Sequence, residues 1–510
     1  SIPWDSKTYN IDYRTNRSDV MDSGTAPCKA VCPAHIPVQG YIKLASMGRY
    51  TEALELIKKE NPFPAVCGRI CNKACEQACT RGIVAIDDIK KFIADKDLDA
   101  STRFVPKMLN QIGRPYTEKI AVIGAGPAGM SCAYYLAEKG YRPTVFEKEV
   151  RPGGMLMNAI PSFRLEKDVV EAEIDVLRQL GVEFRCGVEV GKDVTIAQLR
   201  QEGYKGFYVA VGLQSGGRLP VPGGDAENVF SGVDFMRDKK SLSGRVVVIG
   251  GGNIAADVAR TAVRCGAENV SLYCLEGYDE MPMGEEDRSE CERDGVAVYA
   301  GWGPREVSVE GGKAAGVSFV KCLKVKDENG RFAPVYDENT VQVAPCTTVL
   351  FCIGQKAEWR ELLSGTAVEF DPNGTAKADP VTYQTAEADI FVGGDAFTGQ
   401  KFAIDAIAAG KQGAVSLHRF VQSATLTIGR DRRQFIELDK KSALIAVDSY
   451  DNTPRQRIGY NDALRKTFRD ERVAFTAEQV KAETARCLGC GASIVDPNKC
   501  IGCGVCTTKC

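Results

Sequence analysis

Histidine is almost missing. The 510 residues hold only His35 and His418, too few for a histidine-ligated zinc enzyme or a Ser-His-Asp hydrolase as the central chemistry. An excess of either charge is missing too. Lys and Arg number 65 against 67 Asp and Glu, a net charge of -2, which excludes a basic nucleic-acid-coating surface and a long acidic tail. No segment approaches roughly 18 consecutive apolar residues, so no membrane span is expected. The first 30 residues carry no apolar run of the signal-peptide kind. No C-x2-C lies within 118–420, which excludes an active-site dithiol there.

What is abundant is cysteine and glycine. Charged residues make up 26% and the hydrophobic set 44%, an ordinary globular balance, and at roughly 150 residues per domain the chain has room for about three domains. Glycine reaches 51, as expected where backbone must approach cofactors closely. Of the 20 cysteines, six fall between Cys28 and Cys79 and six between Cys487 and Cys510. The scattered remainder (Cys132, Cys186, Cys265, Cys274, Cys291, Cys322, Cys346 and Cys352) read as small core residues. Two tracts at the ends of a long chain do not resemble a secreted disulfide scaffold, so thiolates kept for metal in a reducing cytoplasm are expected.

Along the chain, 1–27 reads as a polar arm and 28–117 as a helical iron–sulfur domain with its linker. In the front domain Gly48 divides two short helices, and Pro62 and Pro64 end the second. From Lys119 the pattern turns to strand, glycine turn, helix, strand: KIAVIG, GMSCAYYLAEKG, PTVFEKE. The same order returns at Arg245 with RVVVIG, NIAADVARTAVRCG and NVSLYCLE. Alternation of this kind predicts parallel sheets, hence an α/β fold with two Rossmann-like nucleotide-binding domains. Their expected bounds are 118–244 and 356–420 for the first domain and 245–355 for the second, inserted in it. Residues 421–486 read as a connecting segment and 487–510 as a small ferredoxin-like segment.

Gly124-Ala125-Gly126-Pro127-Ala128-Gly129 follows a strand and opens a helix. Gly124 allows the tight turn, Gly126 lets the backbone reach a pyrophosphate, and Gly129 lets helix pack on strand. Glu147 ends the next strand, 18 residues after Gly129, where a carboxylate can accept ribose hydroxyls. The second unit, Gly250-Gly251-Gly252-Asn253-Ile254-Ala255, places Ala at the third glycine position, a permitted variant. Glu276 follows its second strand. Two dinucleotide sites in one chain point to a flavin paired with a nicotinamide.

The succession GAGPAG, RPGGM, IPSFRLE, GGGN, FCIGQ and ADIFVGGDAFTGQKFAIDAIAAGKQG resembles the glutamate synthase small-subunit flavoproteins. That family includes the N-terminal half of dihydropyrimidine dehydrogenase and the larger subunit of bifurcating ferredoxin:NADP transhydrogenases. The front end, APCKAVCPAHIPVQGYI with NPFPAVCGRICNKACEQAC, matches the same family, and the resemblance runs from about 20 to 486. It implies FAD at the first unit, with Lys148, Gly154, Met155, Arg164, Val190, Gly212, Gly394, Asp395, Ile404 and Ala406 at FAD-site positions. Asp395 takes the place that holds the ribityl chain. Gly354 takes a place at the NAD(P) site. NADP-using members carry an arginine pair where this chain has Leu275-Glu276. A carboxylate there repels a 2′-phosphate, so NAD(H) is expected over NADP(H). Arg260, Arg264 and Arg288 stand as alternative phosphate grips.

Cys500-x2-Cys503-x2-Cys506-x3-Cys510 is a bacterial ferredoxin run. Cys487-x2-Cys490 precedes it. Together they also resemble a zinc ribbon, but a ribbon leaves Cys506 and Cys510 without a role. In the front tract come Cys28, Cys32, then Cys67, Cys71, Cys75 and Cys79 in four-residue steps, which on one helix would put the thiols on one face. Family members carry a C-x2-C just before the Cys28 position, where this chain has Val20 and Ser23. Either one front cluster forms, or Cys487 and Cys490 fold back to supply the missing pair. Two to three or more 4Fe–4S clusters are thus expected.

The resemblance implies the electron-input subunit of an oxidoreductase complex. Hydride would pass between NAD(P)H and FAD, then single electrons through the clusters to or from ferredoxin or a partner redox subunit, with flavin-based bifurcation as an option. The other readings are an electron wire with a silent nicotinamide site, and a glutamate synthase small-subunit role beside a separate large subunit. Nucleic acid is not an expected partner.

Overall fold

The computed structural model describes residues 26–108, 115–428, 430, 453–490 and 501–503. The expected arm up to residue 25, and Cys500, Cys506 and Cys510, lie outside the described residues.

Lys119–Ile123 is buried along its last four residues, which suits the apolar run of a sheet covered on both faces. It is the central strand of a five-stranded sheet. The order across it is Ile390–Val392, Tyr204–Val209, Lys119–Ile123, Thr144–Glu147, Glu183–Cys186, and every pairing is parallel. The strand order reverses between Lys119–Ile123 and Tyr204–Val209, the kind of position where doubly wound sheets bind nucleotides. The helices Pro127–Glu138 and Ala403–Val421 pack on this sheet and on each other. A Cβ at Gly410 would lie 2.2 Å from the Ala128 carbonyl, so that contact requires glycine.

A second parallel sheet has the order Val229–Ser231, Thr348–Phe351, Arg245–Ile249, Asn269–Cys274, Ala297–Ala300. The helix Asn253–Arg264 follows its central strand. A three-stranded antiparallel sheet (Trp302–Glu310, Lys313–Lys326, Phe332–Pro345) is interposed before Thr348–Phe351. The chain leaves the first sheet through Ser215–Gly217 and returns through Ile353–Lys356. These two segments pair antiparallel, so the second lobe hangs from a two-stranded ribbon.

The front domain is helical, with Val38–Ser46, Tyr50–Lys58, Pro64–Ile70 and Ile86–Leu98 around Ile42, Leu54, Ile57 and Ile89. Gly48, at φ +72°, separates the first two helices. Pro64 lies at the first position of the third helix rather than ending the second, because a helix start needs no proline N–H. Lys58 and Glu173, each 2% exposed, pair at 3.5 Å across the boundary with the first nucleotide lobe. Arg69 and Glu166 pair across it at 2.7 Å.

The single helix imagined over Cys67–Cys79 is interrupted. Cys71 is extended at ψ 145°, and Lys73 is left-handed at φ 56° before a short helix Ala74–Gln77. The four thiols therefore do not share one face. The 453–490 segment is folded onto this domain. Arg472 donates to the carbonyls of Arg69 at 3.0 Å and Arg164 at 2.7 Å. The helix Ala477–Ala485 starts from a Thr476–Gln479 capping box.

Candidate functional site

Between the two parallel sheets lies one cavity of about 830 Å³. Both glycine units open into it, and they do so alike. Gly124, at φ +102°, has no room for a side chain, since a Cβ would lie 2.5 Å from the Ala210 carbonyl. Gly250, at φ +145°, meets the Cys352 carbonyl at the same 2.5 Å. Gly126 and Gly252 differ from both. Each has extended backbone (φ -77° and -95°) and caps its helix with no side-chain hydrogen bond, and a Cβ there would meet nothing within 4 Å. Each is an empty cradle at the positive end of a helix of 12 residues, which is what a dinucleotide pyrophosphate requires. At Gly129 a Cβ would come within 1.9 Å of the Gly124 carbonyl. Ala255, its counterpart, is fully buried.

Pro127, Ala128, Lys148, Gly154, Met155, Val190, Gly212, Gly394 and Ala406 line the cavity beside the first unit, and Asn253, Ile254 and Gly354 beside the second. Glu147 also lines it. Its carboxylate accepts the N–H of Ala125 at 2.8 Å and of Glu149 at 2.9 Å. Burial pushes this carboxyl above its ordinary range while those two bonds pull it back. Asp395 follows Gly394, which is at φ +67°. Burial, with Asp405 adding to it, pushes the Asp395 carboxyl up to about 6. Ala125, Gly129, Gly250, Ala255, Glu276 and Ile404 lie behind or beside the wall and do not line it. The Glu276 carboxylate stands over the second turn, since a Cβ on Gly251 would come within 2.9 Å of it. The residues present fit two dinucleotides.

Arg164 lines the cavity, but its guanidinium is held by the inserted lobe. Asp257 pairs with its Nε at 2.6 Å, and Asp287 and Glu290 flank it. Sequence reading missed this clamp. Its one trace is Asp257, four residues after Asn253 on the same helix face. Two of the proposed phosphate grips are occupied as well. Arg260 is 3% exposed and pairs with Asp294 at 2.8 Å and with Glu290. Arg264 pairs with Asp294 at 2.5 Å. Charged residues behind the wall neutralise these arginines, so only Arg288 of the three keeps a half-open position, lying over the Tyr278 ring.

Eight of the described tract cysteines fall into two groups. Cys71 interacts with Cys32, and Cys67 and Cys75 both interact with Cys71. Cys28 interacts with Cys79, Cys487 and Cys490. Burial pushes the Cys28 and Cys67 thiols up to about 12 each. The buried Lys90, paired with Asp87 at 2.5 Å, faces Cys67, Cys71 and Cys75 and pulls in the opposite direction. Tyr41, fully buried, feels both Cys75 and Cys28. The backbone amides of Lys73 and Gly489 pull the Cys71 and Cys487 thiols back down against burial, which favours the thiolate that iron requires. Among the described residues no three His, Cys, Asp or Glu donors converge on a single metal-ion position. A cubane takes one thiolate on each of four irons, so its cysteines are spread rather than converged. The donor set fits 4Fe–4S clusters. Cys503 is exposed.

No helix among the described residues is long and apolar enough to cross a membrane. Residues 118–412 match the pyridine nucleotide-disulphide oxidoreductase family. Residues 15–102 match dihydropyrimidine dehydrogenase domain II, 4Fe-4S cluster. The chain is 35% identical over 504 residues to the beta subunit of the NADP(+)-dependent formate dehydrogenase of Moorella thermoacetica, covering 91% of this chain and 70% of that one. It is 31% identical to the glutamate synthase [NADPH] small chain of Escherichia coli strain K12, covering 79% and 90%. It is 33% identical to the NAD-dependent dihydropyrimidine dehydrogenase subunit PreT of the same strain, covering 78% and 92%. Among solved structures, Mycobacterium tuberculosis FprA in complex with NADPH shares the fold at a TM-score of 0.52 and 18% identity, over 61% of this chain and 85% of that one. The paired glycine cradles, the parallel sheets and these matches together show that the chain belongs to the flavin-dependent pyridine nucleotide-disulphide oxidoreductase family, in the branch that carries an N-terminal 4Fe–4S domain and includes the glutamate synthase small chains.

Proposed function

We propose that this chain is the electron-input subunit of an oxidoreductase complex, taking a hydride from NADH and delivering single electrons to ferredoxin or a partner redox subunit. The observation that carries it is the single cavity into which the cradles of Gly126 and Gly252 both open. The chemistry supplied by the bound groups is hydride transfer between nicotinamide and flavin, followed by one-electron transfer through 4Fe–4S clusters.

The chain's own contribution is binding, orientation and charge. Gly126 and the first helix N-terminus receive the FAD pyrophosphate, and Glu147 receives the adenosine ribose. Asp395 accepts from the ribityl hydroxyls. Gly252, Asn253 and Ile254 receive the nicotinamide dinucleotide. Cys32, Cys67, Cys71 and Cys75 hold one cluster, and Cys500, Cys503 and Cys506 serve another whose fourth ligand comes from elsewhere in the sequence, Cys510 being the cysteine that in such a run serves a different cluster. Glu276 repels a 2′-phosphate, which favours NAD(H), and the internal ion pairs of Arg260 and Arg264 support this reading by removing two competing grips. The related proteins are named for both coenzymes, so the preference rests on Glu276.

Anaerobic titration of the purified protein tests the proposal. NADH is expected to bleach the flavin at a lower concentration than NADPH, and a ferredoxin added afterwards is expected to restore its colour. A flavin that neither coenzyme bleaches would make the chain an electron wire instead.

A further inference from the structure

The front domain has a gap in its ligand set. Cys28 and Cys79 stand together, but Val20 and Ser23 occupy the upstream positions where a second pair of thiols would be sought. Two cysteines cannot complete a cubane that offers four iron corners.

The structure brings another pair to the same place from the far end of the chain. After the helix Ala477–Ala485 the backbone turns, and Gly489 is left-handed at φ +62° between Cys487 and Cys490. Thr80 and Cys490 are 410 residues apart in sequence, yet the Thr80 hydroxyl lies 3.4 Å from the Cys490 sulfur. Cys487 packs against the same core as Cys28 and Cys79. The placement is held by buried polar bonds. Glu483, with no exposed surface, accepts the Ala85 N–H at 2.8 Å. Arg486, 5% exposed, donates to the carbonyls of Gly82 and Ile83 at 3.2 Å each. A salt link at 2.5 Å joins Arg486 to Glu483. Leaving such buried partners unpaired would cost about 1–3 kcal/mol each, so the tail is seated here by design of its own residues.

We infer that Cys28, Cys79, Cys487 and Cys490 hold one 4Fe–4S cubane, its C-x2-C pair supplied by the C-terminal tract rather than by the residues preceding Cys28. Each thiol gives up its proton as its sulfur bonds to one iron. The cluster therefore ties the two ends of the chain together. Cys500 follows Cys490 by ten residues, so the ferredoxin run begins within at most about 35 Å of this cubane.

The inference rests on the reading that the chain carries 4Fe–4S clusters, and iron analysis separates the two. In the full-length protein, Cys28→Ala and the double variant Cys487→Ala/Cys490→Ala are each expected to lose the same four irons per FAD and the same low-temperature EPR signal. The triple variant should lose no more than either. FAD content and bleaching by NADH should stay as in the parent protein. Limited proteolysis supplies a readout that does not depend on the cluster spectra. The 453–490 segment should become sensitive in both variants and remain protected in Cys503→Ala. Full iron in the double variant, or irons lost additively in the triple, would overturn the shared cluster. An iron-free parent would overturn the cluster reading itself.

Discussion

Gly126→Val isolates what the first cradle does. Most glycines of a dinucleotide turn cannot be tested cleanly, because the substitution damages the fold first. At Gly124 the left-handed backbone and the 2.5 Å approach to the Ala210 carbonyl forbid a side chain. At Gly129 the 1.9 Å approach does the same. Gly126 is different, with φ -77° and ψ -179°, a conformation open to valine. Its Cβ points into space empty to 4 Å. The valine therefore costs the apo-protein little and collides only with the pyrophosphate. Losing two charge-assisted hydrogen bonds at the helix end, at about 1.5–3 kcal/mol each, weakens FAD binding by about 3–6 kcal/mol, or roughly 10²- to 10⁴-fold. The expected protein is colourless as purified, with the Tm of wild-type apo-protein. Gly252→Val, at φ -95° with the same open surroundings, should give the mirror result: FAD retained, and a flavin that neither NADH nor NADPH bleaches. Valine at 126 with a full complement of FAD, or exchange of the two phenotypes, would refute the assignment of the cradles.

Three more outcomes follow from named side chains. Glu276→Arg should lower the ratio of kcat/KM for NADH over NADPH by at least about tenfold, and a wild type that prefers NADPH would contradict the role given to Glu276. Asp395 has a folded carboxyl near 6 against an ordinary 3.8. Its contribution to stability is full below pH 4 and is lost as pH rises through 6, a cost of up to about 3 kcal/mol at neutral pH. Apo Asp395→Asn should therefore melt above apo wild type at pH 8, with the gap closing toward pH 4, while its FAD affinity falls; a pH-independent gap would refute the cause. Lys90→Met removes a buried positive charge facing Cys67 and Cys71 and should lower the midpoint potential of that cluster by an amount on the order of tens of mV, whereas Lys90→Arg should hold it. Equal potentials in all three proteins, read by redox-poised EPR, would rule this out.

Local demands were legible in the sequence and distant ones were not. Gly124, Gly126 and Gly129 each answer a steric requirement set by neighbours a few residues away, so strand, turn and helix could be read together. The parallel sheets followed from alternation alone, and the insertion of one lobe in the other followed from motif order. The break at Lys73 could not be read, because four-residue spacing is equally compatible with a helix and with two short turns. Arg260 and Arg264 looked like free cations. Their partners Glu290 and Asp294 lie some thirty positions onward, on a helix whose docking only the fold specifies. Arg164 followed the same course, with its carboxylates contributed by the other lobe. The Cys487-x2-Cys490 pair was visible as a motif and its fold-back to the front tract stood as one of two alternatives, but the Thr80 contact from the opposite end of the chain is set by the fold alone.

The ribbon of Ser215–Gly217 and Ile353–Lys356 makes the inserted lobe a detachable module. Its entrance and exit lie side by side, Gly217 opposite Ile353. The strands on either side of the excursion, Tyr204–Val209 and Ile390–Val392, hydrogen-bond directly to each other. A short turn joining the two ribbon strands would remove the lobe without opening the sheet that faces FAD. Coenzyme choice and flavin binding thus reside in parts that can be exchanged independently, and a lobe with another 2′-phosphate preference could be grafted at this junction. Such a graft would have to bring its own carboxylates for Arg164, since that clamp crosses the junction and would otherwise leave a buried guanidinium without its counter-charges.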